Sequence, residues 1–146
     1  MRENPKHQFA AVMFADIVGY TALMQNNEKQ ALIKLKNFKL ILGTKVAANN
    51  GQIIQFYGDG CLVVFEEATA ALNCAMVLQK AFQGKAAIPV RIGLHEGEVV
   101  FRDNNVFGHT VNIASRVESM GISGAILMSS NFQESLYKST FFGGTN

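Results

Sequence analysis

Gln52-Ile53-Ile54-Gln55-Phe56-Tyr57-Gly58-Asp59-Gly60-Cys61-Leu62-Val63-Val64-Phe65 is the stretch on which the fold turns. Two runs rich in β-branched, aromatic and aliphatic residues flank a single Asp-Gly, a dipeptide that hairpin turns favour because it accepts positive φ. The stretch reads as a β-hairpin with its tip at Gly58-Asp59-Gly60. Toward the N-terminus, Asn50-Gly51 marks a turn, and Thr21 to Asn49 carries helical periodicity. Leu32, Leu35, Phe38, Ile41 and Leu42 form one apolar stripe there, while Lys29, Lys36, Lys39 and Lys45 fall largely elsewhere and read as a solvated face. Gln25-Asn26-Asn27 offers a break into two helices. Ahead of it, Gln8 to Asp16 reads as a buried strand that ends at the acid.

Toward the C-terminus, Glu66 to Phe82 is alanine-rich, with Ala71, Leu72, Ala75, Met76, Leu78 and Phe82 among its apolar residues, and suits a packed helix. Ile88 to Phe101 reads as two strands turning near Glu96-Gly97. A helix over Thr110 to Met120, a strand over Ala125 to Met128 and a helix over Ser130 to Tyr137 complete the chain. The order is β-α-β-β-α-β with additions. It belongs to the α+β class, with a ferredoxin-like core in which helices pack on one face of an antiparallel sheet. That architecture hosts RNA binders, enzymes and sensors alike, so it does not name a function.

Composition narrows the field. The chain has 146 residues, 49% of them apolar and 16% charged, which suits one domain with a well-buried core. With 13 Lys plus Arg against 11 Asp plus Glu, the net charge is +2, too small an excess to point to a nucleic-acid or membrane-surface partner. The longest unbroken apolar run, Phe9 to Ala15, falls far short of the roughly 20 residues that span a bilayer. The polar stretch Met1 to His7 is not a secretory signal. Cys61 and Cys74 alone make neither a disulfide framework nor a four-ligand zinc site. A soluble, cytoplasmic globule is expected.

Two carboxylates stand out. Asp16 ends the first strand and Asp59 sits at the hairpin tip. Each alone reads as local structure, a helix N-terminal acid in one case and a turn residue in the other. In a β-α-β-β arrangement, however, the end of the first strand and the next hairpin tip lie side by side. Carboxylates converging there repel unless a cation sits between them, and oxygen ligands suit Mg²⁺ or Mn²⁺, which take remaining ligands from water and phosphates. Gly19, Tyr20 and Thr21 place backbone N–H groups at a helix start, where an anion binds. Asn112 and Arg116, four apart, share one helix face and could hold a ribose oxygen and a reacting phosphate, although an exposed helix edge with Arg116 near Glu118 is the plainer reading.

Phe14-Ala15-Asp16-Ile17-Val18-Gly19-Tyr20-Thr21, Tyr57-Gly58-Asp59-Gly60, Arg91-Ile92-Gly93-Leu94-His95-Glu96-Gly97-Glu98-Val99 and Val106-Phe107-Gly108-His109-Thr110-Val111-Asn112-Ile113-Ala114-Ser115-Arg116 occur in that order. Together they strongly resemble the catalytic domain of class III adenylate/guanylate cyclases of bacterial type. The likeness runs from about Phe9 to Leu136. It implies residues 1–8 as a lead-in and 9–146 as the catalytic domain.

The resemblance implies that Asp16 and Asp59 bind two metal ions, Mg²⁺ or Mn²⁺, with Ile17 lending a backbone carbonyl to one. It implies that Asn112 orients the ribose and that Arg116 stabilises the transition state. Gln55 and Asn105 match the positions that read the base. They are neither the Lys with Asp or Thr of adenylate cyclases nor the Glu with Cys of guanylate cyclases, and amides suit either purine. ATP, giving cyclic AMP and pyrophosphate, is the favoured substrate; GTP or a pyrimidine nucleotide is the alternative. The resemblance further implies a head-to-tail homodimer, in which the aspartates of one chain meet the Asn/Arg pair of the other. His95 is read as structural, and His7 and His109 as bystanders. Family domains generally continue into a further hairpin bearing a triphosphate-binding lysine, whereas here Phe141 to Asn146 follows the last helix. Ala125 stands where some members carry a phosphate-contacting Arg. Those departures favour a second reading, a homology domain that binds nucleotide or a partner without turnover. An RNA-recognition module is disfavoured because the hairpin lacks stacking aromatics interleaved with basic residues. A diguanylate-cyclase-like enzyme lacks its Gly-Gly-acidic-acidic signature here.

Overall fold

The computed structural model describes residues 4–143. Its elements are β1 (Lys6–Ile17), α1 (Tyr20–Asn26), α2 (Glu28–Ala48), β2 (Gln52–Tyr57), β3 (Gly60–Phe65), α3 (Ala68–Gln83), β4 (Val90–Arg102), β5 (Asn105–Phe107), α4 (His109–Ser119), β6 (Ile126–Met128) and α5 (Ser130–Gly143). The strands form one sheet in the order β2-β3-β1-β4-β5, with β6 beside the first half of β4. The order β2-β3-β1-β4 is the ferredoxin-like arrangement expected from the element order. All pairs are antiparallel except β4 with β6, so the sheet is mixed rather than purely antiparallel.

β1 is the central strand, and its two faces serve two cores. Ala11, Met13, Ala15 and Ile17 pack with Phe38 and Leu42 of α2 and with Leu78 and Phe82 of α3. Ala10, Val12 and Phe14 pack on the opposite face with Leu62, Val99, Val106 and Ala114 of α4. Burial on both faces explains why β1 reads as one continuous apolar run. The boundary at Phe9 falls inside this strand, because Lys6 to Gln8 already pair with Phe101 to Val99. Residues 1–3 of the lead-in lie outside the described residues. So do the last three residues of the stretch from Phe141, whose first three continue the backbone of α5.

The break after Asn26 is present. Asn27 caps α2, its side-chain oxygen accepting from the Gln30 N–H at 3.1 Å. The inward stripe of α2 is Ala31, Phe38, Leu42 and Val46, flanked by Leu35 and Ile41. Leu32 instead faces outward, because Ala31 takes the inward position one residue earlier. Met76 on α3 is likewise exposed.

Two further expectations are corrected by one cause. Val90 to Arg102 is a single strand, and its turn falls at Asp103 and Asn104, both at positive φ. Gly97 pairs with Ala10 in mid-strand rather than turning the chain. A Cβ on Gly97 would lie 2.5 Å from Thr110 Oγ1, and one on Gly93 would lie 2.3 Å from the backbone N of Glu118. These glycines open a trough in which α4 lies directly on β4. Helices therefore cover both faces of the sheet. Thr110 Oγ1 fixes the depth by donating to the Glu98 carbonyl at 2.7 Å. Among the described residues, no helix is long and apolar enough to cross a membrane.

Candidate active site

Asp16 lies opposite Gly60 on one neighbouring strand and opposite Arg91 on the other. The next residue, Ile17, donates its N–H to the Asp59 carbonyl at 3.0 Å, which ties the hairpin tip to the end of β1. The convergence of Asp16, Ile17 and Asp59 is thus a product of sheet order. Gly58, at φ 54, makes the turn that no β-branched residue would accept. Gly60 leaves room for the Tyr57 ring, since a Cβ there would come within 2.5 Å of it. That ring meets Phe14 edge-on at 5.9 Å. Burial, then the charges of Glu118 and Asp16, push the Tyr57 hydroxyl above its usual range, so it stays neutral.

Arg91 and Glu118 complete the cluster, and neither was expected there. Arg91 Nε donates to Asp16 Oδ1 at 3.0 Å and Nη2 donates to Oδ2 at 3.3 Å, while Nη1 reaches the Ser119 carbonyl at 3.3 Å. This fork, and not a helix N-cap, is the partner of Asp16; the N-cap of α1 is Gly19. Glu118 is buried, with Oε1 3.5 Å from Arg91 Nε, and among the described residues Oε1 has no hydrogen-bond partner. Burial first, then the hydrogen bond and charge of Asp16, push Glu118 up to about 8, with Arg91 opposing more weakly. Burial thus favours the neutral form of Glu118, while Asp16 holds the guanidinium in the closer, forked contact. The hydrogen bond that Arg91 donates to Asp16 raises the Arg91 guanidinium further still. A signal for Arg91 did exist in the sequence, as the one charge within the apolar run Ile88 to Leu94.

Glu118 also orients α4. It points at the sheet, so Arg116, two residues earlier, lies about 200° round the helix from it, and Asn112, six residues earlier, about 240° round. Both are exposed, and Arg116 does not pair with Glu118. Among the described residues neither side chain has a hydrogen bond or ion pair. Asn112 and Arg116 thus face away from the aspartates of their own chain.

The remaining candidates divide. Gln55 is exposed and lies opposite Leu62, on the α4 face, after a register shift between Ile53 and Gln55. Asn105 opens β5, and its Oδ1 accepts from the Val106 N–H at 2.8 Å, which fixes its amide with Nδ2 as the free donor. Gly19 takes the left-handed conformation at φ 73, and no side chain caps the start of α1. Thr21 is exposed there, but the Tyr20 ring packs against the core with its hydroxyl buried, leaving only its backbone for a ligand. His95 is buried, its Nδ1 2.6 Å from Ser129 Oγ, and burial lowers its pKa, as suits a structural histidine. His7 sits 3.3 Å from Glu98, and His109 opens α4 at the surface.

Asp16 and Asp59 give two carboxylates beside the Ile17 backbone. Among the described residues no group of three or more His, Cys, Asp or Glu side chains is arranged to hold a metal ion. Such an open oxygen set fits Mg²⁺ or Mn²⁺, which are held by one or two carboxylates together with waters and substrate phosphates. A cavity of about 820 Å³ lies elsewhere, near Lys6, Gln52 and Arg102 at the far end of β1.

The sequence profile of the adenylate and guanylate cyclase catalytic domain matches residues 3–143, and the chain belongs to that family, the class III nucleotidyl cyclases. Among particular relatives, it is 35% identical to the adenylate cyclase of Streptomyces coelicolor, over 88% of this chain and 34% of that protein. It spans only 25–34% of the length of that protein and two further curated relatives. The crystal structure of an adenylate/guanylate cyclase/hydrolase from Silicibacter pomeroyi superposes with a TM-score of 0.84 at 34% identity, covering 92% of this chain and 83% of that one. The adenylyl cyclase CyaB from P. aeruginosa superposes with a TM-score of 0.83 at 25% identity, covering 93% and 84%.

Proposed function

We propose that this domain converts ATP into 3′,5′-cyclic AMP and pyrophosphate, using two divalent cations at a site shared between two chains in a head-to-tail homodimer. The observation that carries this reading is the geometry of α4. Asp16 and Asp59 converge at the end of β1, while Asn112 and Arg116 face outward with no side-chain partner among the described residues. A second copy can bring its Asn112 and Arg116 over the aspartates of the first.

Bound Mg²⁺ or Mn²⁺ would lower the pKa of the ribose 3′-hydroxyl and neutralise the triphosphate. Asp16, Asp59 and the Ile17 carbonyl are the groups to hold it. Backbone N–H groups of Gly19, Tyr20 and Thr21 would cover phosphate oxygens. Asn112 of the second chain would hold the ribose, and Arg116 would meet the charge growing on the α-phosphate oxygens. Asn105 Nδ2 suits the adenine N1, with the Gln55 carbonyl accepting from the 6-amino group. GTP is the second reading, because the same Nδ2 also suits the guanine O6. Two free, buried cysteines and a nucleotide substrate fit a cytoplasmic domain.

Mixing Asp16→Ala with Arg116→Ala chains tests the shared site. Each variant alone should lose nearly all turnover, and the mixture should regain activity, since each heterodimer holds one intact site. No recovery in dimers shown to have formed contradicts it.

A further inference from the structure

We propose that Arg91 is a stand-in cation for Asp16 and sets the metal affinity of the site, an inference that rests on the reading of Asp16 as a metal ligand. Its guanidinium fork engages both Asp16 oxygens, at 3.0 and 3.3 Å. A bidentate, charge-assisted pair is among the stronger side-chain contacts, and it occupies lone pairs that a divalent ion needs. An ion on Asp16 would also sit close to a fixed positive charge in a partly buried site, where repulsion is poorly screened. The guanidinium has somewhere else to go. Oε1 of Glu118, lacking a hydrogen-bond partner among the described residues, lies 3.5 Å from Nε, and the Ser119 carbonyl holds Nη1. Metal entry is then an exchange: Asp16 passes from guanidinium to ion, and Arg91 turns to Glu118. Arg91 is a positioning residue that keeps Asp16 aimed and neutralised while no metal is bound.

Titrating the whole chain with Mn²⁺ alone, following free Mn²⁺ by electron paramagnetic resonance, reads this without turnover. Arg91→Gln removes charge and fork and should bind Mn²⁺ about threefold or more tighter than the parent. Arg91→Lys keeps the charge without the fork and should fall between them. A melting curve confirms that each variant is folded, and if Arg91→Gln does not fold, Arg91→Lys alone decides the matter. Unchanged or weaker Mn²⁺ binding by the folded variants overturns the inference. Asp16→Asn separates the two levels. If it abolishes Mn²⁺ binding while the Arg91 variants bind like the parent, only the role of Arg91 fails. If it binds Mn²⁺ like the parent, or if no chain binds, the metal reading of Asp16 fails and the inference with it.

Discussion

Asp16 and Glu118 share one guanidinium, and burial raises the Glu118 carboxyl well above its ordinary range. The ordinary Glu value of 4.5 moves up to about 8 in the folded chain, so the folded state binds a proton that the unfolded state releases between those limits. By linkage, the contribution of this group to stability is full below about 4.5 and is lost as pH rises toward about 8. Denaturant unfolding of the metal-free chain across that window should show the decline, and Glu118→Gln should flatten it. An equally steep decline in the variant contradicts the assignment. Asp16 and Asp59 were legible in the sequence because each ends a recognisable element, and the element order places those ends together. The partnership of Asp16 with Arg91 was not legible, since the two are 75 residues apart and meet only through the register of β1 with β4. The burial of Glu118 was hidden for a similar reason: it depends on the trough beneath α4.

That trough belongs to the scale of elements. Gly97 looks like a turn signal along the chain, yet it lies with Gly93 in mid-strand as the floor under α4. Gly93→Ala sets a Cβ 2.3 Å from the Glu118 backbone, which cannot yield as a side-chain tip would. Its expected cost is about 1–3 kcal/mol of stability, together with lowered turnover as α4 lifts and carries Asn112 and Arg116 with it. Gly43→Ala in α2 is the contrast. Nothing lies within 4 Å of a Cβ there, and this helical site should gain about 0.4–1 kcal/mol. Equal effects of the two substitutions in denaturant titrations contradict the trough. The hairpin and the break at Asn27 were read correctly because Asp-Gly and the Asn cap act locally. The strand over Val90 to Arg102 was misread as two because the role of Gly97 is set by a helix that follows it in the chain.

At the scale of the whole molecule, one chain carries both halves of the proposed site on surfaces that do not face each other. The carboxylates lie at one end of the sheet beside Tyr57, and α4 shows Asn112 and Arg116 to the outside. A monomer is thus expected to be inert, with activity following association. The most direct test is cyclic-nucleotide formation from ATP, GTP, CTP and UTP with Mn²⁺ over a range of protein concentrations. The account predicts one dominant product, cyclic AMP, with specific activity rising with concentration until dimers saturate. Product formed at constant specific activity by a chain shown to be monomeric contradicts the shared site, and no cyclic product from any nucleotide contradicts the proposed catalysis.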